Sequence, residues 1–377
     1  MQKDNPVSYK KIQLPFKVRK PVLALGTQAK NTVCFAQGGF AYLSRIHRDL
    51  SDPEDFLSFE RCVKYFLKKN PEIIAHDLHP EYQSTKYAFS LSPAARRLLP
   101  VQHHHAHIAS CMAENGLRNE RVIGVAFDGT GLGSDNHLWG GEFLVCDYRN
   151  FTRAAHLAQI PLLGAEKAIL EPARLAAAWL FLLYKDKFPS MGINAVKKIT
   201  PGKWRVLKRM YLSGFNSPSS ASMGRLFDAA GSLVLGKAEA AFEAELAIGL
   251  EKLAARHQGA GPRGYRFKII KEKNSYILDP APMFADIVRD LRKKEPKEKI
   301  AFRFHRTIAQ MILKASVVLR KENRVNKVVL SGGVFQNKLL LTAALDLLFK
   351  EGFKVFTHNV LSCNDSSVSL GQAAIAS

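Results

Sequence analysis

Two distant stretches of the chain repeat one grammar, and this repeat constrains the fold more than any other feature. In the first, the apolar run PVLALG (21–26) is followed by a polar turn, TVCFAQ (32–37), a two-glycine turn at Gly38 and Gly39, and FAYLSR. In the second, RVIGVAFDG (121–129) passes through a glycine-rich turn into LWGGEFLVCD (138–147). Each reads as a strand, a small-residue turn and a returning strand. A repeated hairpin of this kind predicts two similar α/β lobes facing each other. The 377 residues, 47% of them hydrophobic, are enough for two domain-sized cores and too many for one.

The segments between and after the repeats fill in the lobes. DPEDFLSFERCVKYFLKK sets Phe56, Phe59, Val63, Phe66 and Leu67 at helical spacing behind the start signal Asp52-Pro53. PEIIAHDL adds a strand, residues roughly 165 to 255 are rich in alanine and leucine and mainly helical, and KVVLSGG (327–333) is a buried strand entering a glycine turn. A helix over NKLLLTAALDLLFKEG, a strand over FKVFTHN and a closing helix over DSSVSLGQAAIA follow. Strand and helix alternate, which predicts an α/β fold with mixed sheets. The expected organisation is a basic leader or linker over 1–20 and a first lobe over 21–118. The second lobe, 119–377, is expected to carry a helical insertion at about 150–300 and the closing helix.

The formal charge of +22 favours acidic partners, nucleic acid included. It is spread over clusters at Lys10–Lys20, Lys197–Arg209 and Arg289–Lys299, each of which also reads as a solvated face. Nucleic acid is therefore the less favoured partner. No run of about 18 uncharged apolar residues occurs, and MQKDNPVSYKK lacks the apolar stretch of a signal peptide. A cytoplasmic protein without a membrane segment is expected. The five cysteines are scattered and never in C-x-x-C spacing, which predicts reduced thiols and not a disulfide framework or a thiolate zinc cluster.

The sharpest local signal is VQHHHAHIASCMAENG (101–116). His103 and His107 are four apart, so on a helix their imidazoles share a face and can grip one metal ion, while His104 and His105 point elsewhere. A polar helix with internally bonded histidines is the competing reading. A hard-metal site needs carboxylates as well. Asp128, at the end of VIGVAFD, projects from the carboxyl end of a strand, and Asp365 precedes the last helix, where it also reads as a plain cap. Three glycine-rich turns can cradle phosphate through backbone N–H groups: DGTGLG with Gly129 and Gly131, SMGRLFDAAG with Gly224, and SGGVFQN with Gly332 and Gly333. None has the lysine of a P-loop. Together they describe a nucleotide held between two lobes, with Asp228 placed to meet a ribose hydroxyl.

These residues match a known family. PVLALGTQAKNT, AHDLHPEYQST (75–85), VQHHHAHIASCMAENG, FDGTGLG with LWGGEF, SMGRLFDAAG, FHRTIAQMI (304–312), LSGGVFQN and CND-x-x-x-x-LGQAA occur in family order across residues 14 to 376. The chain resembles the C-terminal domain of the hydrogenase-maturation carbamoyltransferase family HypF, which is related to the TsaD-type tRNA threonylcarbamoyladenosine synthases. The resemblance implies an actin-like, Hsp70-type (ASKHA) fold of two ribonuclease-H-like lobes. It implies His103, His107, Asp128 and Asp365 as ligands of a divalent metal, iron or zinc, with His103, His107 and Asp128 catalytic. It also implies Gly224, Asp228, Gly332, Gly333 and Asn337 as contacts for ATP or carbamoyl adenylate, with Mg2+ as a further candidate ion. The implied reaction passes a carbamoyl group to the C-terminal cysteine of a HypE-like protein. The adenylate comes from a YrdC-like domain, which, like the acylphosphatase and zinc-finger parts, this sequence does not include. Two positions depart from the family pattern. Ser366 and Ser367 stand where glycines are usual, and Ala165 and Glu166 stand at the second glycine and the aspartate of a P-G-G-D-x-A motif. The alternatives are a TsaD-like tRNA-modifying subunit, which the charge suits but the HHHAH and DLHPEYQST motifs do not, and a non-catalytic nucleotide-binding scaffold.

Overall fold

The computed structural model describes residues 8–91, 97–258 and 261–377. Residues 1–7 of the expected leader lie outside the described residues. A four-stranded sheet holds β1 (Tyr9–Ala24), β2 (Cys34–Ser44), β3 (Ile73–Asp77) and β4 (Arg97–Val101) in the order β2-β1-β3-β4. A second sheet contains β5 (Val122–Leu132), β6 (Leu138–Cys146), β7 (Phe151–Leu157), the short β8 (Ile160–Pro161) and β9 (Ser219–Ser220), β10 (Lys268–Glu272), β11 (Ser275–Asp279), β12 (Lys327–Ser331) and β13 (Lys354–Phe356). Its main path runs β10-β11-β7-β6-β5-β12-β13.

The duplication read in the sequence is visible in the pairing. β1 and β2 are antiparallel, and β3 and β4 then add in parallel. In the second sheet β5 and β6 are antiparallel, and β12 and β13 add in parallel on the same side. Both sheets are covered on two faces, so the central strands read as continuous apolar runs. Along β1, Val22 and Ala24 face one core while Leu23 and Leu25 face another, beneath the helix Pro53–Leu67. Along β5, Val122 and Ala126 face the space between the sheets, whereas Ile123, Val125 and Phe127 face the helices of the second lobe.

Two helices fill the space between the sheets: His103–Glu114, and the closing helix Val368–Ile375. Ala106, Ile108, Ala109 and Met112 of the first pack with Val368, Leu370 and Ala373 of the second and with strand residues of both sheets. Small residues make the approach possible. A Cβ on Gly371 would lie 1.8 Å from the Ala106 carbonyl oxygen, and one on Gly124 would lie 2.6 Å from the Ile108 side chain.

Three sequence expectations are corrected. Residues 9–20 are not a linker but the first half of β1, paired with β2 from Tyr9 opposite Ser44 to Val18 opposite Gly38. Ile12, Leu14, Phe16 and Val18 alternate there, a period of two masked by the interspersed lysines and arginines. Gly38 and Gly39 do not make a turn: β2 runs straight through them, and Gly38, with φ of +59°, sits where the β1–β2 register shifts. Glycine relieves the left-handed backbone at this irregularity of the ladder. The stretch near 150–300 is not wholly helical, because β7, β10 and β11 extend the large sheet. All three are short, from five to seven residues.

Gly371 and Gly38 should respond differently to alanine. Gly371→Ala forces backbone against backbone between the two central helices and is expected to cost about 3 kcal/mol or more. Gly38→Ala meets no atom within 4 Å and should cost only about 1 kcal/mol of left-handed strain. Urea unfolding of both variants checks the ranking.

Candidate metal centre

The helix His103–Glu114 begins directly after β4. Gln102 caps it, its side-chain oxygen accepting from the His105 N–H at 2.8 Å, which satisfies one of the donors a helix start leaves open. His103 and His107 lie one turn apart on the same face. Nε2 of His103 is 3.4 Å from Asp128 Oδ2 and 3.9 Å from Asp365 Oδ1. Nε2 of His107 is 3.8 and 3.5 Å from the same two oxygens. One donor atom from each of the four residues lies within 4.8 Å of all the others.

The two aspartates arrive by different local devices. Asp128 sits in β5 where the ladder to β6 slips between Phe127 and Gly131, an irregularity that re-aims side chains. The Gly333 N–H donates to its Oδ1 at 3.0 Å, leaving Oδ2 toward the imidazoles. Asp365 is relieved of the capping role that the sequence left open for it. Asn364 caps the short turn Asp365–Ser367 instead, accepting from the Ser366 N–H at 3.1 Å. Ser366 and Ser367 also tie back to Asn364 through their hydroxyls, so the two departures from glycine brace this turn.

His103 and His107 are fully buried, and neither Nε2 has a hydrogen-bond partner. Unpaired buried polar atoms are costly unless something meets them. Two such nitrogens facing two carboxylates fit a divalent cation, and the donor set suits iron or zinc. The other ring nitrogen of His103, Nδ1, lies 2.8 Å from Asp77 Oδ2 at the end of β3. A carboxylate behind a ligating histidine fixes its tautomer and strengthens it as a donor. Sequence reading quoted the Asp77 motif without giving the residue a role. Its one local signal was a carboxylate at the carboxyl end of a strand.

The electrostatics are those of a tightly coupled cluster. Burial works against charge on His103, but Asp77 and then Asp128 outweigh it and raise its pKa well above the ordinary 6.5. His107 also rises against burial, through Asp128 and Asp365. Burial would raise Asp128, yet the two histidines hold it well below the usual carboxylate range. His104 is different. Burial, then the charge of His103, pushes it well below 6.5, and its Nδ1 meets Gln102. His105 donates to or accepts from no cluster member; its Nε2 bonds the Asp147 carbonyl at 2.6 Å.

The glycine-rich segments converge on Asp128, although two of them are not the turns expected: Gly129 and Gly131 lie within β5, and Gly224 lies in the helix Met223–Leu235. A Cβ on Gly131 would strike the rings of His104 and His103 at 2.6 and 2.9 Å, and one on Gly224 would lie 2.9 Å from Gly129 Cα. Gly332, with φ of +105°, abuts the Phe127 carbonyl, and Gly333 holds Asp128 itself. Asp228 lies on the helix Met223–Leu235, with its Oδ2 3.2 Å from Arg225 Nε. Burial raises its pKa and Arg225 opposes the rise. Asn337 is engaged at both ends. Its oxygen caps the helix Lys338–Lys350 at Leu340 N, and its Nδ2 donates to His305 Nε2 at 2.9 Å. Ala165 adopts a left-handed φ of +50°, the backbone that explains a glycine at that position elsewhere in the family pattern, and Glu166 beside it is exposed.

Comparison with known proteins identifies the family. The model described as "HypF Kae1-like domain" matches residues 17–114, and "Carbamoyltransferase, Kae1-like Domain, second subdomain" matches residues 124–372. Carbamoyltransferase HypF of Synechocystis sp. is 33% identical over 380 residues, covering 96% of this chain and 48% of that protein. A carbamoyltransferase HypF homolog of Cupriavidus necator is 34% identical over 366 residues, covering 94% of this chain and 91% of the relative. The solved structure of full-length HypF in the phosphate- and nucleotide-bound form superposes with a TM-score of 0.90 at 38% identity, over 97% of this chain and 47% of that one. The chain thus spans about half the length of the Synechocystis relative and of the solved HypF. Matched along nearly its whole length, with two lobes and a Kae1-like architecture, the chain belongs to the carbamoyltransferase HypF family.

Proposed function

We propose that this chain transfers the carbamoyl group of carbamoyl adenylate to the C-terminal cysteine thiol of a HypE-like acceptor, in the maturation of [NiFe]-hydrogenase. The observation that carries this reading is the cluster of His103, His107, Asp128 and Asp365, with its two orphaned Nε2 atoms, set where three glycine-rich segments meet. A HypF solved in a phosphate- and nucleotide-bound form supports a nucleotide here; ATP or carbamoyl adenylate is the proposed ligand, with Mg2+ as a candidate companion of its phosphates. A YrdC-like domain or protein would supply the adenylate. No described helix is long and apolar enough to cross a membrane, and the proposed setting is the cytoplasm.

Each residue has a part that follows from its position. Asp77 holds the Nδ1 proton of His103, so Nε2 offers its lone pair to the cleft. Gly333 holds one oxygen of Asp128 and leaves the other to the cluster. A divalent cation at these four residues would supply Lewis acidity beside the anionic oxygens of the substrate. Gly129, Gly131, Gly224, Gly332 and Gly333 let the backbone approach phosphate, Asp228 is placed for the ribose, and Asn337 braces the turn that orients the adenylate. The acceptor thiolate forms a bond to the carbamoyl carbon, the bond from that carbon to the phosphate oxygen breaks, and AMP leaves with the electron pair. The nucleophile belongs to the partner, so no cysteine of this chain is required.

Protons and metal compete for the same nitrogens. In the metal-free protein the raised histidines contribute stability that is full below 6.5 and fades as pH rises through their folded values. The depressed Asp128 contributes above 3.8, and that part is lost as pH falls. Metal must displace the histidine protons, so Zn2+ affinity should climb from pH 6 to pH 8, reported by competition with a chromogenic chelator.

The function is tested by incubating the chain with carbamoyl phosphate, ATP, a YrdC-like protein and a HypE-like acceptor. Intact mass should show one carbamoyl group added at the acceptor's terminal cysteine, and His103→Ala or Asp128→Asn should reduce the rate to background. An untouched acceptor, alongside tRNA modified in a parallel incubation that contains tRNA, threonine, bicarbonate, ATP and the YrdC-like protein, would replace this reading with the tRNA-modifying one. Absence of both metal binding and nucleotide turnover would leave a scaffold.

A further inference from the structure

The helix that opens with His103 and His107 closes with Glu114. The Glu114 carboxylate accepts from the backbone N–H groups of Asn359 at 2.8 Å, Val360 at 2.5 Å and Leu361 at 3.2 Å. It also lies 2.6 Å from His358 Nδ1. His358 Nε2 is 3.0 Å from Ser331 Oγ, and Ser331 Oγ is 3.4 Å from His107 Nδ1. The side chains of Glu114 and His358 are 5% and 2% exposed, and Ser331 is fully enclosed at the end of β12.

Carboxylate, imidazole and hydroxyl stand in the order of a hydrolase triad. Ser331, however, is sealed from solvent and its outward neighbour is a histidine of the cluster, so this order serves another end. Burial opposes charge on Glu114, but His358 and the backbone N–H groups outweigh it and bring its pKa down to about 2. An ionised Glu114 requires the proton of His358 on Nδ1. In the neutral tautomer of His358 that this fixes, Nε2 is an acceptor and the Ser331 hydroxyl donates to it. The oxygen of Ser331 keeps a lone pair for Nδ1–H of His107, and the lone pair of His107 falls on Nε2, inside the cluster. All three contacts run in one direction.

Glu114 does a second thing. The backbone run it clamps, 359–361, leads directly into Asp365, so one carboxylate ties the histidine helix to the segment that brings the fourth ligand. We propose that Glu114, His358 and Ser331 are positioning residues that set the tautomer of His107 and the spacing between the histidine helix and Asp365. The inference rests on the metal reading above. It makes the two imidazoles unequal: His103 is backed directly by the anionic Asp77, whereas His107 is backed by a neutral hydroxyl with its carboxylate two steps away.

The test uses the full chain, Zn2+ competition against a chelator, and the visible absorption of the Co2+-loaded protein, which reports ligand geometry independently of activity. Ser331→Ala and Glu114→Gln should each weaken Zn2+ binding about tenfold, the size expected for loss of a group behind a metal ligand, and should shift the Co2+ bands in the same sense. Wild-type affinity together with an unchanged Co2+ spectrum in folded Ser331→Ala overturns the proposal, even if its melting temperature falls. Should Ser331→Ala not fold, Glu114→Gln decides on the same two readings. If the unmodified chain takes up neither Zn2+ nor Co2+, the metal reading itself fails and this inference falls with it. If the unmodified chain binds metal and the variants match it, only this inference falls.

Discussion

The whole architecture turns on burying one histidine-rich helix between two sheets. His103, His104 and His107 are fully enclosed and His105 nearly so, and a buried imidazole is costly where a ring nitrogen goes unmet. The surroundings are organised around that demand. Asp77 meets one nitrogen of His103, Ser331 one of His107, Gln102 one of His104 and the Asp147 carbonyl one of His105. Nε2 of His103, His104 and His107 remains without a hydrogen-bond partner, and those of His103 and His107 are aimed at two carboxylates.

Close packing makes this geometry stiff. Gly371 lets the closing helix touch the backbone of the histidine helix, Gly124 makes room for Ile108, and Gly131 lets β5 pass over the rings. Interiors packed at crystal-like density transmit displacement instead of absorbing it. The cluster therefore inherits its dimensions from the two-lobe packing, and the Glu114 clamp adds a second tie between the same helix and the Asp365 segment.

Much of this was legible in the chain. The repeated hairpin start announced two lobes, and their strands pair with the same order and direction. The i, i+4 histidines and the strand-end Asp128 named three of the four cluster residues on local grounds. Charge obscured the rest: five basic residues between Lys10 and Lys20 drew the eye from an alternating apolar series that makes half of β1. Asp365 read equally well as a cap, and only the presence of Asn364 in that role separates the two. Asn337 is tied up as a cap and as a partner of His305, a local commitment that glycine-turn reading does not reveal.

What the sequence determined by itself is what has a short period: which residues share a helix face and which strands are covered on both sides. Those follow from backbone geometry within a few residues. Only tertiary structure decided that Asp77 stands behind His103, that Asp128 and Asp365 meet the same pair of nitrogens, and that Ser331, His358 and Glu114 line up behind His107. Side-chain periodicity says which way a group faces but not what it faces. That second fact is set by how helices and sheets distant in the chain pack to exclude water.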